Sequence, residues 1–215
     1  MSAEFIAIFL AAFVTFFVLI DALGVAPVFA SLTARGPASY RRSMAIRSVL
    51  VGTIIIFGFA FFGAWLLDKL HITIDAFRAA GGILLFIIAL DMVFEKRTER
   101  RENRAESVLA DEEESGQLED ISVFPLGIPM LAGPGSIATA MLYMSENASW
   151  VTKSAVLSAI AANMLICLLI FLAAGPLVRA MGDSIAGAIT RIFGVILAAL
   201  SVQLLIDGIK GAFGL

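Results

Sequence analysis

The sequence predicts an all-α protein that crosses a membrane six times, as two inverted repeats of three helices each. The 215 residues are 60% hydrophobic and 15% charged, with a mean hydropathy of +0.97. Soluble domains are about 45–50% apolar and about 25% charged, so this excess of apolar residues requires an apolar solvent. Several uncharged stretches match the ~20 residues that span a bilayer. The second half of the chain also repeats the helix starts and breaks of the first half.

Six apolar stretches are separated by short polar connections, with one long connection between the third stretch and the fourth. The predicted spans lie at residues 4–33, 43–67, 76–95, 122–145, 152–178 and 187–209. The chain is therefore predicted to divide into a first three-helix repeat at 1–95, a charged cytoplasmic loop at 96–120, and a second, inverted three-helix repeat at 121–215.

The first span is predicted to be broken. After the apolar run Phe5–Ile20 come Asp21, Gly24 and Pro27 within seven residues. An aspartate inside a membrane is costly unless it is paired, and a proline removes a backbone donor and clashes with the preceding turn. We therefore expect two half-helices that meet at residues 21–26.

The third span resembles the sixth. FRAAGGILLFIIAL at 77–90 corresponds to TRIFGVILAALSVQ at 190–203, and both begin with the same Arg-x-x-Gly start, at Arg78 and Arg191. Each half holds three helices, and because three is odd the second half enters the membrane upside down. Inverted-topology repeats of this kind are common in secondary transporters. The adjacent glycines Gly81–Gly82 are typical of close helix packing.

The long connection Glu95–Asp120 carries mixed charges in its first part and acidic residues in its second. The first part is compatible with a helical continuation. A run of charges is most often a solvated linker, and we interpret the connection in this way. A docking segment for a partner is the alternative.

The fourth span is predicted to break at Gly133–Gly135. This GPG sequence places the poorest helix formers inside a long uncharged segment. Pro125 and Pro129 stiffen or kink the first half, and SIATAMLYM then restarts a helix with Ser136 as its N-cap. Backbone groups freed by such a break must face protein or a water-filled cavity, because lipid offers them no partner.

The fifth and sixth spans each carry one amide side chain, Asn163 and Gln203. An amide inside a membrane helix bonds to a neighbouring helix or lines a polar site. Both are therefore included among the candidate site residues.

The distribution of Lys and Arg predicts the orientation, since cytoplasmic loops carry the excess of both. One set of loops holds most of the cations: Arg35, Arg41, Arg42, Arg47, Lys96, Arg97, Arg100, Arg101, Arg104, Arg179 and Arg191. The opposite set holds Lys69, Arg78, Lys153 and Lys210. The first, third and fifth connections are therefore expected in the cytoplasm, with both termini outside, in the periplasm of a bacterium.

Two broken helices at corresponding positions of two halves are the best sequence indication of a transporter site near the midplane. Half-helix N-termini present free N–H groups and a positive dipole end, which suit a carboxylate. Asp21 and freed carbonyls suit an ammonium group or a coupling cation, and glycines leave room for only a small side chain. The predicted binding residues are Asp21, Gly24, Val25, Ala26, Pro27, Gly133, Pro134, Gly135, Ser136, Asn163 and Gln203.

Four stretches resemble the MarC family of membrane proteins. They are DALGVAPVF at 21–29, FRAAGGILLFIIALDM at 77–92, FPLGIPMLAGPGSIATAM at 124–141 and VILAALSVQLLIDGIKG at 195–211. The resemblance covers nearly the whole chain apart from the acidic part of the long connection, and AGPG is its most specific motif. It implies a six-helix protein of the inner membrane. Carried over by position, the motif points to Asp21, Gly24, Pro27 and Gly133–Gly135, while Ala22 stands where the family usually has proline.

The resemblance also implies a substrate class, because the related SnatA group is described as transporting small neutral amino acids such as glycine or alanine. We expect a secondary transporter rather than an enzyme, located in a bacterial or archaeal plasma membrane and working by alternating access. Its expected partners are a small neutral amino acid and the lipid bilayer, with no nucleic acid and no cofactor. The sequence leaves open the oligomeric state and whether a proton or a sodium ion is the coupling ion. The alternatives are a transporter or channel for another small solute, and a non-transporting structural or signalling membrane protein.

Overall fold

The computed structural model describes residues 2–115, 117–147 and 149–214, and for residues 2 and 182–184 it describes the backbone only. The described residues form helices joined by short connections, with no strands. The elements are α1 (Ser2–Ile20), α2 (Ala22–Leu32), α3 (Ala38–Lys69), α4 (Ile74–Val93), α5 (Lys96–Ser115), a π-helical segment (Ser122–Leu131), α6 (Pro134–Glu146), α7 (Trp150–Leu172) and α8 (Ala174–Phe213).

Five stretches of the described chain are long and apolar enough to cross a membrane. They are Ala3–Leu32, Ala38–Lys69, Ile74–Val93, Trp150–Leu172 and Ile185–Phe213. A sixth span results if the π-helical segment and α6, which meet at a bend of 58°, cross the membrane together. The all-helical membrane architecture predicted from the sequence is therefore confirmed.

The interruption of the first span is narrower than predicted. The break is confined to Asp21, which adopts a left-handed conformation (φ 51°, ψ 53°), and α2 begins at the next residue. Backbone bonds continue on both sides, from Asp21 N to Phe17 O at 3.2 Å and from Val25 N to Asp21 O at 3.0 Å. Two helices do meet within the predicted range 21–26, but the range itself is not an interruption, because residues 22–26 form the first turn of α2. Asp21 caps this turn by accepting a hydrogen bond from Gly24 N.

The fourth span is broken, and its irregularity extends further than predicted. Phe124 and Ile128, which each precede a proline, have extended φ/ψ values inside the π-helical segment. The segment ends with a bond from Ala132 N to Gly127 O at 2.9 Å. Gly133 is then extended (φ −79°, ψ 167°) and serves as the N-cap of α6, so Ser136 is not the cap.

The charged connection is a helix docked on the protein, which corrects its interpretation as a solvated linker. One face of α5 is buried, at positions 101, 105, 108 and 112, which is the spacing of a single helix face. This face packs against α2, α4 and the π-helical segment. Ala105 and Val108 join the main hydrophobic core, and Arg35 pairs with Glu113 at the far end of the helix.

The boundary between the fifth and sixth spans also differs from the prediction. The fifth span was expected to continue to residue 178, but α7 ends at Leu172 and α8 begins at Ala174. Pro176 lies in the first turn of α8, where a proline is tolerated because the N–H groups have no intrahelical partner there.

Glycines bring α4 and α8 into backbone contact along an antiparallel pair. An ideal Cβ on Gly82 would lie 2.7 Å from both Ser201 O and Leu205 N. Nothing lies within 4 Å of the corresponding position on Gly81, so only one of these adjacent glycines is required for the contact. Elsewhere α1 packs on α7, and α3 packs on α6 and the π-helical segment.

Candidate binding site at the helix breaks

A cavity of about 270 Å³ lies between α4, α5 and the beginning of α6. Its polar wall is formed by Asp91, Arg97, Arg100, Arg101 and Arg104, together with residues 133–136 at the second break. Its apolar wall is formed by Leu19, Leu84, Ile87, Ile88, Pro129 and Met130. Of the predicted site residues, the cavity brings together Gly133, Pro134, Gly135 and Ser136.

The start of α6 presents free backbone donors to this cavity. Gly133 makes no side-chain cap, Pro134 has no N–H, and the first intrahelical bond runs from Ile137 N to Gly133 O at 3.1 Å. The N–H groups of Gly135 and Ser136 precede that bond and have no intrahelical acceptor. Together with the helix dipole they make this end of α6 attractive to an anion.

Gly135 has a packing role that the sequence did not indicate. An ideal Cβ there would lie 2.8 Å from Ile88 Cδ1, 3.1 Å from Leu85 Cδ2 and 3.2 Å from Leu19 Cδ2. The absence of a side chain therefore lets the start of α6 approach α1 and α4. A substitution at Gly135 would disturb this packing before it reached a ligand.

Asp21 is buried behind the cavity and is held by three elements. It is 0% exposed, and its carboxylate accepts hydrogen bonds from Gly24 N, from Thr190 Oγ1 at 3.2 Å, and from Arg101 Nη1 at 2.9 Å. A Cβ on Gly24 would lie 2.3 Å from Asp21 Oδ2, so this glycine makes room for the carboxylate. Asp21 contributes to the site through Arg101 and does not line the cavity.

Arg101 connects Asp21 to the cavity. Its side chain is 4% exposed, and while Nη1 donates to Asp21, Nη2 is buried and has no hydrogen-bond partner within the described residues. A buried polar group without a partner costs free energy, so the unpartnered donor of this cavity-lining residue marks a place for an acceptor.

Arg97 lies beside Arg101 and satisfies a carbonyl exposed by the first break. Its Nη2 donates to Leu19 O at 2.7 Å, and its Nη1 contacts Met92 Sδ at 3.0 Å. Burial, and then the charge of Arg101, lower the pKa of Arg97 to about 9. At neutral pH the guanidinium remains protonated, without a carboxylate of its own.

The remaining predicted residues lie away from the cavity. Val25 and Ala26 are fully buried in α2, and Pro27 is half-buried in the same helix. Asn163 donates to Phe13 O at 3.1 Å and to Ala159 O at 2.9 Å, so it joins α7 to α1. Gln203 is exposed and donates to Asp207 at 2.8 Å.

The sequence interpretation missed Arg97, Arg101 and Thr190. A sequence signal for Arg101 existed, because a buried aspartate requires a partner. Arg101 also shares a helix face with the apolar residues Ala105 and Val108, which stand out in an otherwise charged segment. No comparable signal indicated Thr190, whose contact with Asp21 depends on how α8 packs against α2.

Comparison with known proteins agrees with this architecture. The family model described as "MarC family integral membrane protein" matches residues 6–213. The chain belongs to the MarC family. No solved structure matches it.

Relatives in the MarC family occur in archaea and bacteria. A UPF0056 membrane protein of Methanocaldococcus jannaschii is 36% identical over 204 residues, covering 95% of this chain and 97% of the relative. The UPF0056 membrane protein YhcE of Escherichia coli is 35% identical over 201 residues, covering 94% and 91%. The UPF0056 membrane protein YvbG of Bacillus subtilis is 34% identical over 202 residues, covering 94% and 93%. The chain is therefore a multi-pass integral membrane protein of a family that occurs in both archaea and bacteria.

Proposed function

We propose that this protein is a secondary transporter of small neutral amino acids of the glycine or alanine type, working by alternating access between two inverted repeats. The observation that carries the proposal is a helix break at corresponding positions of the two halves, with a small cavity at the second break. In secondary transporters the substrate site lies where such discontinuous helices meet, because they expose backbone groups to the substrate and not to lipid.

The positions of the breaks support the repeat. The helix after the first break begins at Ala22, and the helix after the second begins at Pro134, 112 positions later. The Arg-x-x-Gly starts at Arg78 and Arg191 are 113 positions apart. A nearly constant offset over two separate features is what a duplicated unit predicts.

The packing also supports the repeat. Under this offset α1 corresponds to the π-helical segment and α7 corresponds to α3, so the pair α1 with α7 exchanges with the pair formed by the π-helical segment and α3, and both pairs are in contact. The pair α4 with α8 maps onto itself under the same exchange. Gly82 of α4 approaches Ser201 and Leu205 of α8, and Gly194 of α8 approaches α4 in turn. A Cβ on Gly194 would lie 2.9 Å from Met92 Cβ and 3.0 Å from Ala89 O. An antiparallel pair with reciprocal contacts fits a two-fold axis in the membrane plane.

The size of the cavity favours a small solute. Pockets for drug-sized ligands occupy about 300–1,000 Å³, and this cavity holds about 270 Å³. Its wall combines an anion-attracting helix start with apolar side chains, an arrangement that fits a carboxylate bearing a short aliphatic group. A proton or a sodium gradient is the expected driving force.

Uptake of radiolabelled glycine and alanine into proteoliposomes tests the proposal, with an imposed proton gradient, an imposed sodium gradient, or neither. We expect accumulation above protein-free vesicles under one of the two gradients, with competition by unlabelled alanine and little by leucine. Equal radioactivity in loaded and protein-free vesicles, for protein shown to be folded and inserted, would reject amino-acid transport.

A further inference from the structure

The side chains that line the cavity carry more positive charge than negative charge. Four arginines line it, against the single carboxylate of Asp91. Arg100 pairs with Asp91 and Arg101 pairs with Asp21, which leaves Arg97 and Arg104 without a carboxylate within 4 Å in the part of the chain described. Confined charges without a counter-charge are unfavourable, so the cavity is suited to an anionic group.

We propose that the substrate's carboxylate binds in this cavity to Arg101 Nη2, to Arg97 and to the free N–H groups of Gly135 and Ser136. This inference rests on the proposed function and identifies the groups that recognise its substrate. Its new element is α5, which lies outside both repeats and supplies the charged partners of the carboxylate.

The geometry of Arg101 favours a carboxylate. A guanidinium presents several donors in one plane and can bind two acceptors at once. Asp21 occupies Nη1 and fixes the plane of the fork, while Nη2 is buried and has no partner among the described residues, and the Arg101 residue lines the cavity. Asp21 is thus a positioning residue, which orients Arg101 without contacting the ligand.

The ammonium group of an amino acid is then assigned to Asp91 and not to Asp21. Asp91 is the one carboxylate that lines the cavity in the described residues, whereas Asp21 is completely buried behind Arg101. The present partner of Asp91 is Arg100, whose side chain is 56% exposed and can turn towards water when an ammonium replaces it. Leu84 and Ile87 provide the apolar wall for a hydrogen or methyl side chain.

A ligand series tests the carboxylate directly and requires no substitution. The full chain, purified in detergent, is titrated calorimetrically with glycine, glycinamide, acetate and inorganic phosphate. We expect glycine to bind, acetate to bind more weakly because it lacks the ammonium, and glycinamide to lose affinity by about tenfold or more because a charge-assisted bond is lost.

Variants then assign the effect to Arg101. R101K keeps a cation opposite Asp21 but cannot bind two acceptors in one plane, and R179K is the control, because Arg179 lines a different cavity. We expect R101K to weaken glycine binding by about tenfold while the melting temperature stays near that of the parent. R97Q serves as a second variant, since Arg97 contacts no carboxylate, and we expect it to weaken glycine and acetate alike.

The outcomes separate this inference from the proposed function. If glycine and glycinamide bind equally and R101K has no effect, the inference is overturned, while amino-acid transport stands or falls on the uptake assay. If acetate or phosphate binds through Arg101 but glycine does not, the anion site is supported and the amino-acid substrate is rejected. If none of the four ligands binds to folded protein, the inference is overturned.

Discussion

At the scale of single residues, the pair formed by Asp21 and Arg101 explains how an aspartate is accommodated in the middle of an apolar span. Both side chains are almost completely buried, and the carboxylate receives donors from the backbone, a hydroxyl and a guanidinium. A buried ion pair contributes little net stability, but removing one partner leaves an uncompensated charge and typically costs about 3–5 kcal/mol. The pair should therefore behave as a unit under mutation.

A double-mutant cycle tests this unit. D21N keeps the shape of the side chain, and asparagine tolerates the left-handed conformation at this position, so the change isolates the charge. We expect D21N and R101Q each to destabilise the protein by about 3–5 kcal/mol, and the double variant to be less destabilised than the sum of the two. Thermal melting in detergent measures the stability of the three variants. Additive losses of stability would show that the two side chains are not coupled.

At the scale of elements, glycines decide how closely α4 and α8 pack. The adjacent glycines of α4 provide a matched comparison, because a Cβ on Gly82 meets the backbone of α8 and a Cβ on Gly81 meets open space. We expect G82A to destabilise the protein by about 1–3 kcal/mol through overpacking. G81A should leave stability unchanged or raise it by up to about 1 kcal/mol, since alanine favours a helix. Equal melting temperatures for the two variants would contradict the packing described.

The docking of α5 allows a second comparison of neighbouring residues. Val108 is buried in the core cluster, whereas Ser107 points to solvent. We expect V108D to cost about 2–4 kcal/mol and to release α5, because a carboxylate would be buried without a partner. Limited proteolysis should then cut within residues 96–115 faster than in the parent. S107D is the control, and equal cleavage of both variants would indicate that α5 is not docked.

An element could be predicted from the sequence where its own residues dictate its conformation, and could not where distant contacts decide it. Pro134 and the flanking glycines can hardly continue a helix, so the second break was predictable from these residues alone. The first break was drawn too wide, because Gly24 and Pro27 were interpreted as helix breakers when Gly24 makes room for a carboxylate and Pro27 lies within α2. The docking of α5 was missed because a charged composition is typical of solvent exposure. The contacts that hold α5 are made with residues distant in sequence, among them the pair formed by Asp21 and Arg101, which are 80 positions apart.

At the scale of the whole molecule, the orientation in the membrane remains a prediction that labelling can check. The chain has one cysteine, Cys167, which is buried in α7, so background labelling should be low. We expect F213C to react with a membrane-impermeant maleimide in intact cells, and Q117C to react only after lysis. Both positions are exposed. Labelling of both variants in intact cells would place the two positions on one side and exclude an odd number of crossings between α5 and the carboxyl terminus.

The cations of α5 also bear on how the chain enters the membrane. Under the proposed inverted repeat, two halves of opposite orientation give the insertion machinery little reason to prefer one orientation of the whole protein. Five cations lie between Lys96 and Arg104, directly after α4, and the acidic residues that follow do not offset them, because retention in the cytoplasm depends on Lys and Arg. The arginines that line the cavity in the folded protein would thus have fixed its topology during synthesis. A substitution that removes a positive charge between Lys96 and Arg104 is expected to alter membrane insertion as well as the site, whereas R101K retains the charge that determines orientation.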